Sequence, residues 1–501
     1  MNNFLSPPVP ALVKAIEQVL AATEKALPIP GTHRKDLPAA IRDLSSLLTD
    51  ERNQGLFQSY WSTRRLASAY YYYFLPWNLY RLAWMLPGLP LDLKPKDRVL
   101  DLGCGPLTLP LALWCARPEL RSLPLSFTCV DMAAQPMNAG REVFKALQTA
   151  TGQTLPWTFE LVRSQLESAP QRFAPGFGLI MGGNALNELT AAHGQSQAER
   201  VCRLTGLCAK RLRPGGSLLF VEPGTRLGGK LIALTRESLL QQGLAIVAPC
   251  QHTAPCPMLA HRTPHGALFS GWCHFNCPAK NAPKRLENLT KLAKFTRHSL
   301  ALAALFARKD EAAPLNDSPH ERASLAQATP EDGLLYEDAL AGGFMDTLAE
   351  LEALYNETLA EEAVPQKGSA ARACERHAPL PPPIAARIIS GPISLPGNAS
   401  DARYACSAAG LVLVRNVPYL PHGAGIMITW QEIQRDMKTG ALLVDMLGSS
   451  PQKQGQTPVP GQETAPKPGR TPTPRPENRP TPKPGRTPAP KPARPARQKK
   501  G

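Results

Sequence analysis

Acidic residues are in short supply in this chain of 501 residues: 40 Asp and Glu stand against 56 Lys and Arg, for a net charge of +16. The shortage is uneven. Between Pro451 and Gly501 there are 12 basic residues and 2 acidic ones, so +10 sits in that stretch and +6 in the rest. Such a balance points to a polyanionic partner, with nucleic acid the first candidate. No apolar run reaches the eighteen or so residues that a membrane span needs. The opening Met-Asn-Asn-Phe-Leu-Ser-Pro-Pro has neither a basic n-region nor an apolar h-region, so the expected location is cytoplasmic. The 11 cysteines are an odd number, scattered through a chain long enough to bury a core without a disulfide scaffold. That fits a reducing compartment, with some thiols buried and some on a metal.

A glycine is also missing where a dinucleotide-binding loop would want its third. The apolar strand Val99 to Leu102 runs into Gly103-Cys104-Gly105, and a helix-like segment, Pro110 to Cys115, follows. Thr108 stands three residues after Gly105, and the carboxylate, Asp101, lies inside the strand before the turn. The two glycines let the backbone turn sharply against a ligand, and the helix start behind them offers free N–H groups. A second strand, Leu125 to Val130, ends at Asp131, where a carboxylate can accept hydrogen bonds from both ribose hydroxyls of a nucleoside. Phe177 to Met181 leads into Gly182-Gly-Asn-Ala-Leu-Asn-Glu-Leu189. There Asn184 either faces a ligand or caps the next helix. Leu212-Arg-Pro-Gly-Gly-Ser is a turn feeding an apolar strand. This alternation of strand and helix predicts an α/β domain over 91–310, a doubly wound sheet with right-handed crossovers.

Residues 1–90 carry helical spacing (Val13, Ile16, Val19, Leu20; Ile41, Leu44, Leu47, Leu48) and an aromatic run, Tyr70 to Trp77, with Arg64, Arg65 and Arg81 nearby. The run is expected to pack on the neighbouring domain, over its ligand-binding edge, rather than to stack on bases. Within an insertion at 246–280, Cys250, Cys256, Cys273 and Cys277 fall within 28 positions, spaced C-x5-C-x16-C-x3-C. Gathered thiolates point to a soft metal or an iron–sulfur cluster. Structural zinc prefers tighter pairs, though His252, His261, His265 and His274 keep mixed zinc ligation open. Residues 311–375 read as a linker with an acidic amphipathic helix, Met345 to Thr358. Short strands over 376–448 suit a small β module of the barrel-like kind that often touches RNA. In 449–501 the segment Pro466-Lys-Pro-Gly-Arg-Thr-Pro-Thr-Pro-Arg-Pro476 recurs as Pro482-Lys-Pro-Gly-Arg-Thr-Pro-Ala-Pro-Lys-Pro492, a disordered, solvated tail able to track phosphates.

The Asp-x-Gly-x-Gly arrangement resembles the first motif of class I S-adenosylmethionine (SAM)-dependent methyltransferases. More specifically, residues 98–308 resemble the methyltransferase-like assembly factors of the mitochondrial small ribosomal subunit and their bacterial relatives. The motifs are Val99-Leu-Asp-Leu-Gly-Cys-Gly105, Gly183-Asn-Ala-Leu-Asn-Glu-Leu189, Val221-Glu-Pro-Gly224, Ala248-Pro-Cys-Gln-His-Thr-Ala-Pro-Cys-Pro257 and Trp272-Cys-His-Phe275. The resemblance implies a class I SAM-methyltransferase-like fold, a small-subunit factor that binds rRNA, and SAM held near Asp101, Gly103, Gly105, Asp131 and Asn184. It also implies a 4Fe–4S cluster on Cys250, Cys256 and Cys273, with a last ligand further along for which Cys406 is the best match and Cys277 the local alternative. Pro106 departs from the methyltransferase pattern, which prefers glycine there. No Asn/Asp-Pro-Pro-Tyr/Phe motif follows the fourth strand, so an active rRNA methyltransferase is the second reading, and an iron- or redox-sensing translation regulator the third.

Overall fold

The computed structural model describes residues 3–49, 60–190, 194–267, 269–311, 382–395, 401–416, 420–430 and 433–446. The acidic helix expected at Met345 to Thr358 and the repeat-bearing tail lie outside them. Four helices come first: α1 (Pro10–Ala26), α2 (Gly31–Thr49), α3 (Arg64–Ala69) and α4 (Leu75–Ala83). Pro10 opens α1 at a position where its missing N–H is no loss. Leu12, Ile16 and Val19 then bury one stripe, as helical spacing requires. Between α3 and α4 the run Tyr70–Phe74 winds as a single π-turn, a feature frequent at functional sites. Tyr71, Tyr72 and Tyr73 are buried there, as packing of the aromatic run demands.

The central domain alternates β1 (Arg98–Leu102), α5 (Thr108–Ala116), β2 (Leu125–Asp131), α6 (Ala134–Thr151), β3 (Trp157–Arg163), β4 (Phe177–Gly183), α7 (Gln197–Arg211), β5 (Leu212–Pro223) and α8 (Arg226–Gln241). It closes with β6 (Ala245–Ala248), α9 (Pro257–Ala260), β7 (Phe275–Pro278), α10 (Lys284–Leu292) and β8 (Ser299–Arg308). The strand order is β3-β2-β1-β4-β5-β8-β6, with β7 also on β8. The first five strands are parallel, and β8 runs antiparallel to its neighbours. This is the class I methyltransferase-like α/β fold. Alternate residues of each strand feed two cores. Val99, Leu179 and Leu219 pack with the N-terminal helices, α5 and α6, while Leu100, Ile180 and Leu218 pack with α7 and α8.

The Arg213-Pro-Gly-Gly216 segment is a bulge rather than a turn ahead of the strand. The ladder steps from Leu212 opposite Phe177 to Ser217 opposite Leu179. Arg213 is pinned by Asp97 at 2.8 and 3.0 Å.

A second sheet follows, with β9 (Ile384–Ile388), β10 (Arg403–Ser407), β11 (Gly410–Arg415), β12 (Gly425–Ile428), β13 (Gln434–Arg435) and β14 (Leu442–Asp445). Its order, β12-β9-β10-β11-β14-β13, is an open path among the described residues, not a closed barrel. Alternation again divides the side chains: Leu411 and Leu413 join the large core, whereas Val412 and Val414 build the module's own.

Candidate functional site

Chain order reverses on either side of β1, between β2 and β4, and ligands of such sheets bind at the carboxyl ends of the strands there. A narrow cleft lies at that point, lined by Tyr70, Asn78, Arg81, Gly103, Gly105, Thr108, Gly183 and Asn184. Gly103 has φ +65° and no room for a Cβ, which would stand 2.9 Å from the Cβ of Ala185. Gly105 has φ +50° and open space where a side chain would point, so its backbone is free to meet a ligand. Pro106 is accommodated by its neighbour: Leu107, buried, takes the left-handed conformation at φ 56° that starts α5.

The two acids of the motif differ in their surroundings. Asp131 accepts hydrogen bonds from the Gly105 N–H and the Ala133 N–H, both at 2.9 Å, and so ties the glycine turn to the end of β2. Burial pushes its pKa up against the pull of those amides. Asp101 is 0% exposed, and neither carboxyl oxygen has a partner. Burial first, and then the Asp131 charge, hold its pKa well above the usual carboxylate range. Beside it the Cys104 and Cys129 thiols share a hydrogen bond, both pushed up chiefly by burial.

Asn184 lines the cleft but caps no helix. Its side-chain oxygen accepts from Arg81 Nη2 at 2.9 Å, and its backbone has φ 57°. The N-terminal helices therefore reach the cleft at the carboxyl ends of β1 and β4. Trp77 Nε1 donates to Thr290 Oγ1 at 3.2 Å and Tyr80 Oη to the Lys280 carbonyl at 2.6 Å, fixing α4 on the central domain. The sequence places Arg81 only as a basic neighbour of the aromatic run, with no role in the cleft, and gives Asn78 no part. The available signal was their i, i+3 spacing, two polar residues on one face of a helix otherwise rich in buried apolar side chains.

Cysteines gather at a second place. Cys250 follows β6, Cys256 precedes α9, Cys273 precedes β7 and Cys406 lies in β10. The thiols of Cys250, Cys256 and Cys273 all act electrostatically on Cys406, and burial raises the pKa of all four. Cys277 stands apart in β7, facing Arg81 rather than those thiols. Of the histidines, His252 reaches the group, its Nε2 standing 3.2 Å from Cys406 Sγ. His261 bonds the Thr439 carbonyl, His274 contacts the Trp272 carbonyl, and His265 is exposed. Two guanidiniums flank the thiols. Arg236 is buried, donates to the His252 and Ala254 carbonyls at 2.8 Å, and pairs with Glu237, which accepts from the Cys256 N–H. Arg387 sits opposite Cys406 in the β9–β10 ladder and donates to the Pro249 carbonyl at 2.9 Å. Arg387 is the lone charge in the apolar run Ile384 to Ile388, whereas Arg236 stands among Thr235, Glu237 and Ser238 with nothing in the sequence to mark it. Among the described residues, no three His, Cys, Asp or Glu side chains converge closely enough to hold a single metal ion.

Residues 92–298 match the family described as mitochondrial small ribosomal subunit Rsm22. Over that segment, which is less than half of the chain, this protein is similar to that family. The Rsm22 match spans both the glycine turn and Cys250, Cys256 and Cys273. A comparison with curated proteins gives no match. Among solved structures, a methyltransferase from Pyrococcus furiosus is 10% identical, covering 44% of this chain and 78% of that one at a TM-score of 0.25. An O-methyltransferase family protein from Burkholderia thailandensis is 13% identical, covering 55% and 73% at 0.32. The N-methyltransferase NodS from Bradyrhizobium japonicum is 14% identical, covering 46% and 93% at 0.25. The fold assignment rests on the strand order, not on these scores. No helix among the described residues is long and apolar enough to cross a membrane. The family's mitochondrial description gives no support to the cytoplasmic expectation.

Proposed function

We propose that this protein is an assembly factor of the small ribosomal subunit that binds its rRNA, with a SAM-binding fold and a structural 4Fe–4S cluster. The observation that carries the reading is the Rsm22 family match over residues 92–298. A basic surface supports the rRNA part. Lys280, Lys284, Arg285, Lys291 and Lys294 are all exposed on α10 and its flanks, suited to phosphate contacts.

In the cleft, Asp131 would face the ribose of SAM and the Gly103–Gly105 turn its methionine part. Asp101, fully buried in β1 and absent from the cleft wall, would support the turn from behind rather than touch the ligand. At the thiols, Cys250, Cys256, Cys273 and Cys406 would hold the cluster. Four thiolates bind four different irons of a cubane, so they need not converge on one ion. The buried Arg236 and Arg387 offset the negative charge that thiolate ligation brings. Such a cluster ties the Cys-rich loop to β10, and its binding free energy adds to folding.

The test has two arms. Protein purified without oxygen is expected to be brown, to contain about four irons with matching sulfide, and to lose colour in Cys256→Ser. Stoichiometric zinc without sulfide would sink the cluster. In gradient fractions of ribosomal particles the protein is expected with small-subunit precursors, and its absence there would remove the ribosomal reading.

A further inference from the structure

Arg81 carries a positive charge into the cleft, and its hydrogen-bond partners are neutral. The residue is 7% exposed. Nη1 donates to the Ala301 carbonyl at 3.3 Å and Nη2 to Asn184 Oδ1 at 2.9 Å, while Nε has no partner. Desolvation works against its charge, with the Cys277 thiol and Glu222 acting the other way. A guanidinium so buried is costly until an anion joins it. The anion cannot be a phosphate of SAM, which has none. The one anionic group of that cofactor is its α-carboxylate, and a planar guanidinium fork matches a carboxylate in two parallel hydrogen bonds.

We propose that Arg81 binds the α-carboxylate at the amino-acid end of SAM, so that the N-terminal helices complete the cofactor site. The inference rests on the SAM reading above. It follows from placement. Arg81 shares the cleft wall with Gly103, Gly105 and Asn184, the groups at the carboxyl ends of β1 and β4. Asn184 holds the guanidinium from the sheet side, and the Trp77 and Tyr80 hydrogen bonds hold α4 from the other. Arg81 is therefore a specificity residue for a ligand bearing a carboxylate, supplied by a region outside the doubly wound sheet.

Calorimetric titration with SAM and with decarboxylated SAM, which lacks only that group, tests the proposal. The wild-type protein is expected to bind SAM about tenfold or more tightly than the decarboxylated form. Arg81→Gln keeps donors for Asn184 and Ala301 but no charge. It is expected to bind both ligands alike, at the level of wild type with decarboxylated SAM. Arg81→Lys should keep part of the preference. Equal wild-type affinity for the two ligands overturns the proposal without recourse to any variant. An undiminished preference in Arg81→Gln overturns it as well, while leaving SAM binding intact. Wild-type protein that binds neither ligand removes the SAM reading and this inference together.

Discussion

Asp101 and Asp131 belong to one loop system yet are held in opposite ways, and each yields a test. Asp101 is buried with both oxygens unpartnered and its pKa raised, so the folded state keeps a proton that the unfolded chain gives up. Its charge is faced by Asp131 and its neighbours include the Cys104 and Cys129 thiols, none of which can neutralise a carboxylate. Stability is therefore complete below the ordinary carboxylate pKa of about 4 and falls as pH rises towards the folded pKa, by up to about 1.4 kcal/mol per unit. Asp101→Asn removes that dependence. Urea unfolding is expected to show little gain from the substitution near pH 4 and a growing gain towards pH 7; a gain of equal size at both would refute the buried-acid account. Asp131 is engaged instead, accepting from Gly105 and Ala133. Asp131→Ala strands those two N–H groups, at a cost of about 1–3 kcal/mol, and loosens the glycine turn. SAM binding is expected to weaken markedly, as titration would show. Binding equal to wild type would retire Asp131 as a ribose ligand.

At the scale of elements, the choice between Cys406 and Cys277 turns on which strand each occupies. Cys277 is buried in β7 against Leu300 of β8, within a ladder that also fixes its direction. Cys406 in β10 is brought to the other thiols because Arg387, its cross-strand partner, is anchored on the Pro249 carbonyl beside Cys250. Cys406→Ser is expected to lose iron, and Cys277→Ser to retain its full content; the reverse result in an iron assay would move the fourth ligand to β7. Strands β1, β2, β4, β5 and β8 were legible because their residues are mostly apolar and bounded by Gly, Asp or Pro, whereas half-exposed β3 and the four-residue β6 and β7 were not. β8 spans Ser299–Arg308, as its apolar run predicts. The strand pair β13 and β14 was not, since Gln434–Arg435 is exposed and only two residues long. Its signal lay in the turn, where the Asp436 carboxylate accepts from the Thr439 N–H and hydroxyl ahead of Gly440 at φ +75°. The glycine turn, both acids and Cys250, Cys256 and Cys273 could be read from spacing, whereas spacing put Cys277 in the group and Cys406 entered only through the family resemblance. Arg81, Arg236 and Arg387 could not be read in this way, because a buried charge is identified by what surrounds it, and those surroundings come from distant parts of the chain.

For the whole molecule, charge is divided between two places. The tail from Pro451 to Gly501 carries +10 and no aromatic residue, so it has phosphate-seeking charge without a stacking platform. The body carries +6, and the stretch from Lys280 to His298 holds six Lys and Arg against one Glu, which accounts for most of it. A surface held by α10 has a fixed shape and can match one RNA site, whereas a repeat of Pro, Lys and Arg offers the same pattern to any polyanion. Deleting residues 451–501 is therefore expected to remove a non-specific share of affinity, largest at low salt. The slope of log K against log salt should become shallower by about 0.7 for each single-strand phosphate that the shortened protein no longer neutralises. Association with small-subunit precursors should survive. Replacing Lys284, Lys291 and Lys294 together by Ala should do the opposite, weakening entry into the small-subunit peak while leaving binding to unrelated RNA nearly intact. Co-sedimentation of the three proteins across a salt series separates these outcomes. If truncation abolishes the peak at every salt concentration and the triple substitution does not touch it, specificity lies in the tail, and the basic face of α10 is only a solvated surface.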